Sequence, residues 1–175
     1  MRLSLLMATA TLLGCTGCSD LISVNAFAPD NLVIQDAALP GIWADDDQIY
    51  VVKAKDDGYT IAVLPAKDNG TALSFTAKLF RAGNAEILDL VPAGDDAFRL
   101  AVHTPVRIWV DEHTLRFTYL DSKWLREQVR AGLTSQELNK RTLITSPAAT
   151  LTRFLLIHGG DDRAWEGDPA GLVRQ

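Results

Sequence analysis

The sequence predicts a mainly β fold: an antiparallel up-and-down meander closing as a barrel or curled sheet, with C-terminal α-helices packed on it. Three observations predict it. Turn-forming clusters recur roughly every 10–15 residues between Gly41 and Leu120, the spacing of a sandwich or barrel. The segments between them alternate apolar and polar residues with period two, so one face of a sheet is buried and the other wet. After Leu120 the pattern changes to helix caps and helical apolar spacing. A composition of 47% hydrophobic and 22% charged residues over 175 positions suits one globular domain and excludes disordered, collagen-like and polytopic membrane chains.

Residues 19–40 form a lead-in rich in Ser, Asp, Asn and Pro, with Leu32-Val33-Ile34 as a docking strand or a turn of helix. Gly41-Ile42-Trp43 opens the first strand of the meander. The turns are Asp45-Asp46-Asp47, Asp56-Asp57-Gly58, Lys67-Asp68-Asn69-Gly70, Ala82-Gly83-Asn84, Pro92-Ala93-Gly94-Asp95-Asp96 and Asp111-Glu112-His113. Between them, Tyr59, Ile61 and Val63 share a face, as do Leu73, Phe75, Ala77 and Leu79. Phe98, Leu100 and Val102 oppose Arg99. Val106, Ile108 and Val110 oppose Arg107. Leu115, Phe117 and Tyr119 oppose Arg116. The pattern counts about eight strands from Trp43 to Leu120, and closing them removes exposed edges.

Asp121 or Ser122 caps a helix running to Ala131. Thr134-Ser135-Gln136-Glu137 has the form of a capping box and predicts a second helix start. Ser146-Pro147 starts another helix, whose Leu151, Phe154, Leu155 and His158 make one stripe against the sheet, with Gly159-Gly160 as its stop. The tail from Asp161 reads as loose, with Trp165 packing back.

The first residues carry an address. Arg2 precedes an uncharged run, Leu3 to Leu13, which has the length of a signal-peptide core and is too short to span a bilayer. Leu12-Leu13-Gly14-Cys15-Thr16-Gly17-Cys18 follows. This resembles the bacterial lipoprotein signal, which implies acylation of Cys15, or alternatively Cys18, and cleavage just before it. The resulting division is a signal peptide over 1–14, a lipidated N-terminus and tether over 15–40, one β-meander domain with helices over 41–160, and a loose tail over 161–175. Neither cysteine is followed by Asp, which in such lipoproteins implies the outer membrane, facing the periplasm.

Gly41-Ile42-Trp43 resembles the lipocalin signature, in which a Gly-x-Trp on the first strand plugs the closed end of an eight-stranded barrel. The resemblance implies a cup for a small apolar ligand and an arginine stacked on the tryptophan, for which Arg116 is the nearest candidate. The inward aromatics Trp43, Phe75, Phe117 and Tyr119 are the candidate ligand contacts. Gly41-Ile42-Trp43, Leu88-Asp89-Leu90-Val91-Pro92 and the stretch Leu115 to Leu125 also resemble a loosely defined group of uncharacterised bacterial lipoproteins, a resemblance that implies no activity.

A net charge of −5 argues against a nucleic-acid groove. No cysteine follows Cys18, so Cys-based metal sites and Cys nucleophiles are excluded downstream. The three histidines, His103, His113 and His158, have no metal-ligand spacing, and the acidic clusters read as solvated turns, so neither metal nor cofactor is expected. Arg99, Arg107 and Arg116, with Trp109 in the same phase, form a candidate interaction face. The expected function is therefore a non-catalytic binding module for a small hydrophobic or lipid ligand, anchored to the cell envelope. An envelope interaction protein is the alternative, and a hydrolase assembled from His103, Asp89 and a serine is the lesser one. Alternation alone leaves a filled and a hollow barrel equally open.

Overall fold

A computed structural model describes residues 21–67, 70–94, 100–129, 132–138 and 141–175. Cys15, Cys18, Arg99 and the leader lie outside the described residues. The strands are β1 (Leu21–Ser23), β2 (Val33–Ile34), β3 (Gly41–Ala44), β4 (Gln48–Lys55), β5 (Gly58–Pro65), β6 (Leu73–Ala82), β7 (Ala85–Pro92), β8 (Thr104–Val110), β9 (Thr114–Tyr119), β10 (Ser135–Leu138), β11 (Arg141–Ile144) and β12 (Ala170–Arg174). The helices are α1 (Ser122–Val129) and α2 (Ala148–His158), with short 3-10 turns at Asp30–Leu32 and Asp162–Ala164.

Eight strands, β3 to β9 and β12, close an antiparallel barrel. Strands β3 to β9 follow one another as a meander, β12 lies between β9 and β3, and β6 pairs with β7 from Phe75 to Ala82. Strand β2 docks on β6 just beyond the start of β5, through Val33 against Phe80 and Ile34 against Leu79. A second, three-stranded sheet of order β1-β11-β10 sits at the barrel rim, where Ser23 and His103 exchange backbone hydrogen bonds of 2.9 and 2.8 Å.

Among the described residues the turns fall where the polar clusters sit; Asp68, Asn69, Asp95 and Asp96 lie outside the described residues. Asp45 accepts from the backbone of Asp47 and Gln48. Asp111 accepts from the backbone of His113 and Thr114 and from the Thr114 hydroxyl. Gly83 holds φ +64° in the two-residue connection from β6 to β7, a conformation a side chain would strain. Each acidic side chain thus replaces a missing ladder partner for backbone N–H groups at a strand reversal.

Period-two alternation sorts the core into two bodies. Inside the barrel, Trp43, Val52, Tyr59, Ile61, Leu79, Leu88, Val106, Ile108, Leu115 and Leu172 are buried. Outside it, Phe80, Ala82, Ala85 and Ile87, the opposite phase of β6 and β7, pack beneath Leu151 and Leu155 of α2, Leu125 of α1 and Trp165. One hairpin is therefore apolar on both faces, because it has barrel core on one side and helices on the other.

Several expectations are corrected. Seven strands, not eight, lie between Gly41 and Tyr119, and the eighth is β12 from the supposedly loose tail. Leu100 and Val102 lie in no strand, because His103 pairs with Ser23 instead of continuing β8. Residues 95–99 lie outside the described residues. Thr134-Ser135-Gln136-Glu137 forms a strand boundary and not a helix start: Thr134 N–H donates to Ser146 Oγ at 2.7 Å, and Ser135–Leu138 pairs with β11. Glu137 instead accepts from Thr142 across that hairpin. The same contact takes Ser146 away from capping α2, which begins after Pro147 without a side-chain cap. Asp121 caps α1 as expected, accepting from Trp124 N–H at 2.7 Å.

The hydrogen bonds from the Thr114 hydroxyl and from the backbone N–H groups of His113 and Thr114 hold the Asp111 carboxyl at about 2, below its ordinary 3.8. A depressed value means that the turn's contribution is complete above the ordinary carboxylate value and fades as pH falls through about 2. NMR titration of the Asp111 carboxyl is expected to give that low midpoint, and Thr114→Val is expected to move it up toward 3.8. An unchanged midpoint in the variant would contradict this assignment.

Candidate functional site

The barrel is closed at one end by residues from two distant parts of the chain. Trp43, fully buried on β3, donates its indole N–H to the carbonyl of Leu39 at 3.0 Å. Arg174, near the end of β12, lies over the ring with its guanidinium carbon 4.1 Å from the centroid. Its guanidinium donates to the carbonyls of Ala38, Pro40 and Glu112, which ties the lead-in to the turn between β8 and β9. Gly41 makes the arrangement possible. A Cβ there would stand 2.7 Å from Arg174 Nη1, so a side chain would push against a group already fixed by its hydrogen bonds. The stacking arginine is therefore Arg174 and not Arg116, which is exposed on the outer face.

Above this plug the barrel is hollow. A cavity of about 230 Å³ runs from Leu39 to the opposite rim. Its walls are apolar side chains of the inward phase, including Val52, Ile61, Leu88, Val106 and Leu115. Phe75, Phe117 and Tyr119 line it. Trp43 does not line it, although Leu39, whose carbonyl accepts from its indole N–H, does. Tyr50, which sequence reasoning passed over, also lines it and stands 5.9 Å from Phe117, whose ring meets Tyr119 edge-on at 6.0 Å. The three rings form a run of tilted and edge-on contacts in the cavity lining. At the mouth stand Ile22 of β1, Leu73, Val102 and Arg141 of β11.

A second cleft, about 320 Å³, lies on the outside of the barrel beside β6 and β7. Here the fold brings together two of the residues weighed for catalysis. His103 Nδ1 lies 3.0 and 3.1 Å from the two oxygens of Asp89. Asp89 is almost fully buried and accepts from the backbone N–H of Phe27 and Ala28, at 2.9 and 3.2 Å. A buried carboxylate needs such partners, and these pin the lead-in against the barrel wall. Among the described residues no hydroxyl hydrogen-bonds to the His103 ring. Nearby, hydrogen bonds from the Lys78 ammonium to Asp30 and Asp57 raise the lysine and lower Asp57.

The expected Arg/Trp face is largely consumed by the fold. Arg107 is buried. Its guanidinium donates to Asp162 at 2.7 Å and lies 4.5 Å from the centroid of Trp109. The cause is the tail. Glu166 N–H donates to Tyr119 and its carbonyl accepts from Thr118, so the segment 161–166 covers the outer face of β8 and β9. Trp109 is half-buried, with Arg116 over it at 5.5 Å, and only Arg116 of the pair remains exposed. Arg99 lies outside the described residues. His113 sits in its turn and His158 packs against Trp124 and Phe154. Among the described residues no group of three His, Cys, Asp or Glu converges as a metal site. No described helix is long and apolar enough to cross a membrane. Comparison with family models, curated proteins and solved structures finds no match to this chain.

Arg174→Ala removes a cation–π contact and leaves the carbonyls of Ala38 and Pro40 without their donor. It is expected to cost about 2–4 kcal/mol, read by urea denaturation, and to red-shift the tryptophan emission. Arg174→Lys keeps the charge but not the fork and is expected to fall between. A loss below about 0.5 kcal/mol, within the range of ordinary surface substitutions, would show that the plug does not hold the barrel.

Proposed function

We propose that this chain is a lipid-anchored lipoprotein of the bacterial cell envelope whose barrel binds a small hydrophobic molecule without transforming it. The observation that carries the reading is the apolar cavity of about 230 Å³ inside a closed barrel, plugged at one end and open at the other. A barrel of this strand number is wide enough either to be filled by side chains or to hold one small ligand, and here the inward residues leave space. Apolar walls with a few polar groups near the mouth are the usual form of a small-molecule site. The Gly41, Trp43 and Arg174 plug agrees with the closed end implied by the lipocalin resemblance.

The address and the cavity support one another. Ile22 lines the mouth, and Cys15 precedes Leu21 by six residues. Six residues reach about 20 Å at most. An acylated Cys15 would therefore keep the open end near the bilayer surface, where a lipid-soluble ligand is found. More than one acyl chain on that cysteine gives the firm attachment that a single chain does not. The absence of Asp after either cysteine favours the outer membrane, periplasmic side.

Leu90, inward on β7 and half-buried, reaches the cavity from its wall. Leu90→Trp fills that space. It is expected to lower the affinity for the apolar fluorophore N-phenyl-1-naphthylamine at least tenfold while changing stability by about 1 kcal/mol or less, since the added ring enters existing space. Fluorescence titration paired with urea denaturation reads both. Equal fluorophore binding in the two proteins, or no saturable binding by the parent, would contradict the proposal.

A further inference from the structure

We infer that the cavity takes an amphiphile with an aliphatic tail and a single anionic head group, and that Arg141 at the mouth reads the head. This rests on the barrel being a binding module and adds the chemical class of its ligand. Among the described residues that line the cavity, Arg141 is the only charged one. It does not belong to the barrel. It opens β11, which the parallel pairing of Leu21, Ile22 and Ser23 of β1 with Thr142, Leu143 and Ile144 carries to the rim. Strand β1 is fixed there in turn by the Ser23–His103 bridge. A whole accessory sheet thus places one guanidinium over an apolar opening.

No described carboxylate pairs with Arg141, whereas Arg107, Arg163 and Arg81 each have an acidic partner. Across the hairpin its register partner is Leu138, which is exposed. Among the described residues the rim therefore offers apolar surface and one cation, complementary to the junction between a tail and an anionic head. Physical chemistry fixes the orientation. An ionised head cannot enter the apolar lining without a large desolvation cost, so it stays at the rim and the tail goes in. The planar guanidinium matches a carboxylate or phosphate with two parallel hydrogen bonds. The cavity volume lies below the roughly 300–1,000 Å³ of common ligand pockets, which favours a tail of medium length.

The test uses the full chain stripped of bound lipid, with decanoate, decyl phosphate and decan-1-ol as probes in isothermal titration calorimetry at low salt. The parent is expected to bind an anionic probe about tenfold tighter than the alcohol, in keeping with a charge-assisted hydrogen bond. Arg141→Gln should abolish that preference and leave decan-1-ol binding unchanged, and Arg141→Lys should restore part of it. Preference for decanoate or for decyl phosphate distinguishes a fatty acid from a phosphorylated lipid as the source, and either supports the inference. Equal binding of acid, phosphate and alcohol by the parent overturns the head-group assignment while leaving the cavity reading intact. An anion preference that survives Arg141→Gln overturns the role of Arg141. Binding of none of the three probes overturns both readings together.

Discussion

Closure of the barrel depends on a strand that arrives last. A meander of seven strands leaves β3 and β9 as open edges, each a row of unpaired backbone groups ready to pair with another chain. Strand β12 fills the gap, bonded to Phe117, Arg116, Leu115 and Thr114 on one side and to Ala44 and Trp43 on the other. The residue that ends it, Arg174, then lies over Trp43 and binds the chain on both sides of the plug. Without that strand there is no enclosed space, and without that arginine the space has no fixed floor. The cavity is thus a consequence of one long-range pairing.

The intervening segment explains why the last strand returns to the right place. After Tyr119 the chain leaves the barrel, forms α1, the β10–β11 hairpin and α2, and comes back through Asp162–Ala164. The two helices and the returning tail pack over the outer faces of β6 and β7, Leu125, Leu151, Leu155 and Trp165 against Phe80 and Ile87, and β11 pairs with β1 of the lead-in. Trp165 donates its indole N–H to the carbonyl of Gly159 at 2.9 Å, which fixes the path out of α2. Glu166 and Thr118 continue that attachment along the barrel wall until β12 begins. The helical layer therefore steers the C-terminus, and the same layer holds the accessory sheet that edges the mouth.

Local physics made the meander readable. Alternation at Tyr59, Ile61 and Val63, or at Ala77 and Leu79, states the buried face outright, and the Asp and Gly clusters state the reversals. What was not legible were the pairings across long sequence distance. Nothing near Trp43 points to Arg174, since the two meet only because β12 closes the barrel. Arg107 has the outward phase that normally means solvent, and only the return of residues 161–166 buries it. The capping-box pattern at Thr134 was overridden because its hydroxyl and N–H find Ser146 across the hairpin base. Of the site, Phe75, Phe117 and Tyr119 followed from phase alone. Tyr50 and Arg141 did not, because one shares its strand's mixed pattern and the other sits on an element whose position is set by tertiary packing.

The central claim is that the hollow of the barrel is occupied in the cell. Native mass spectrometry of the protein purified gently from its own host tests it most directly. The account predicts a discrete additional mass of small-molecule size that disappears on denaturation and is retained by the folded barrel. A folded protein carrying only its own mass, and taking up nothing when an extract of its host's lipids is added, would contradict it.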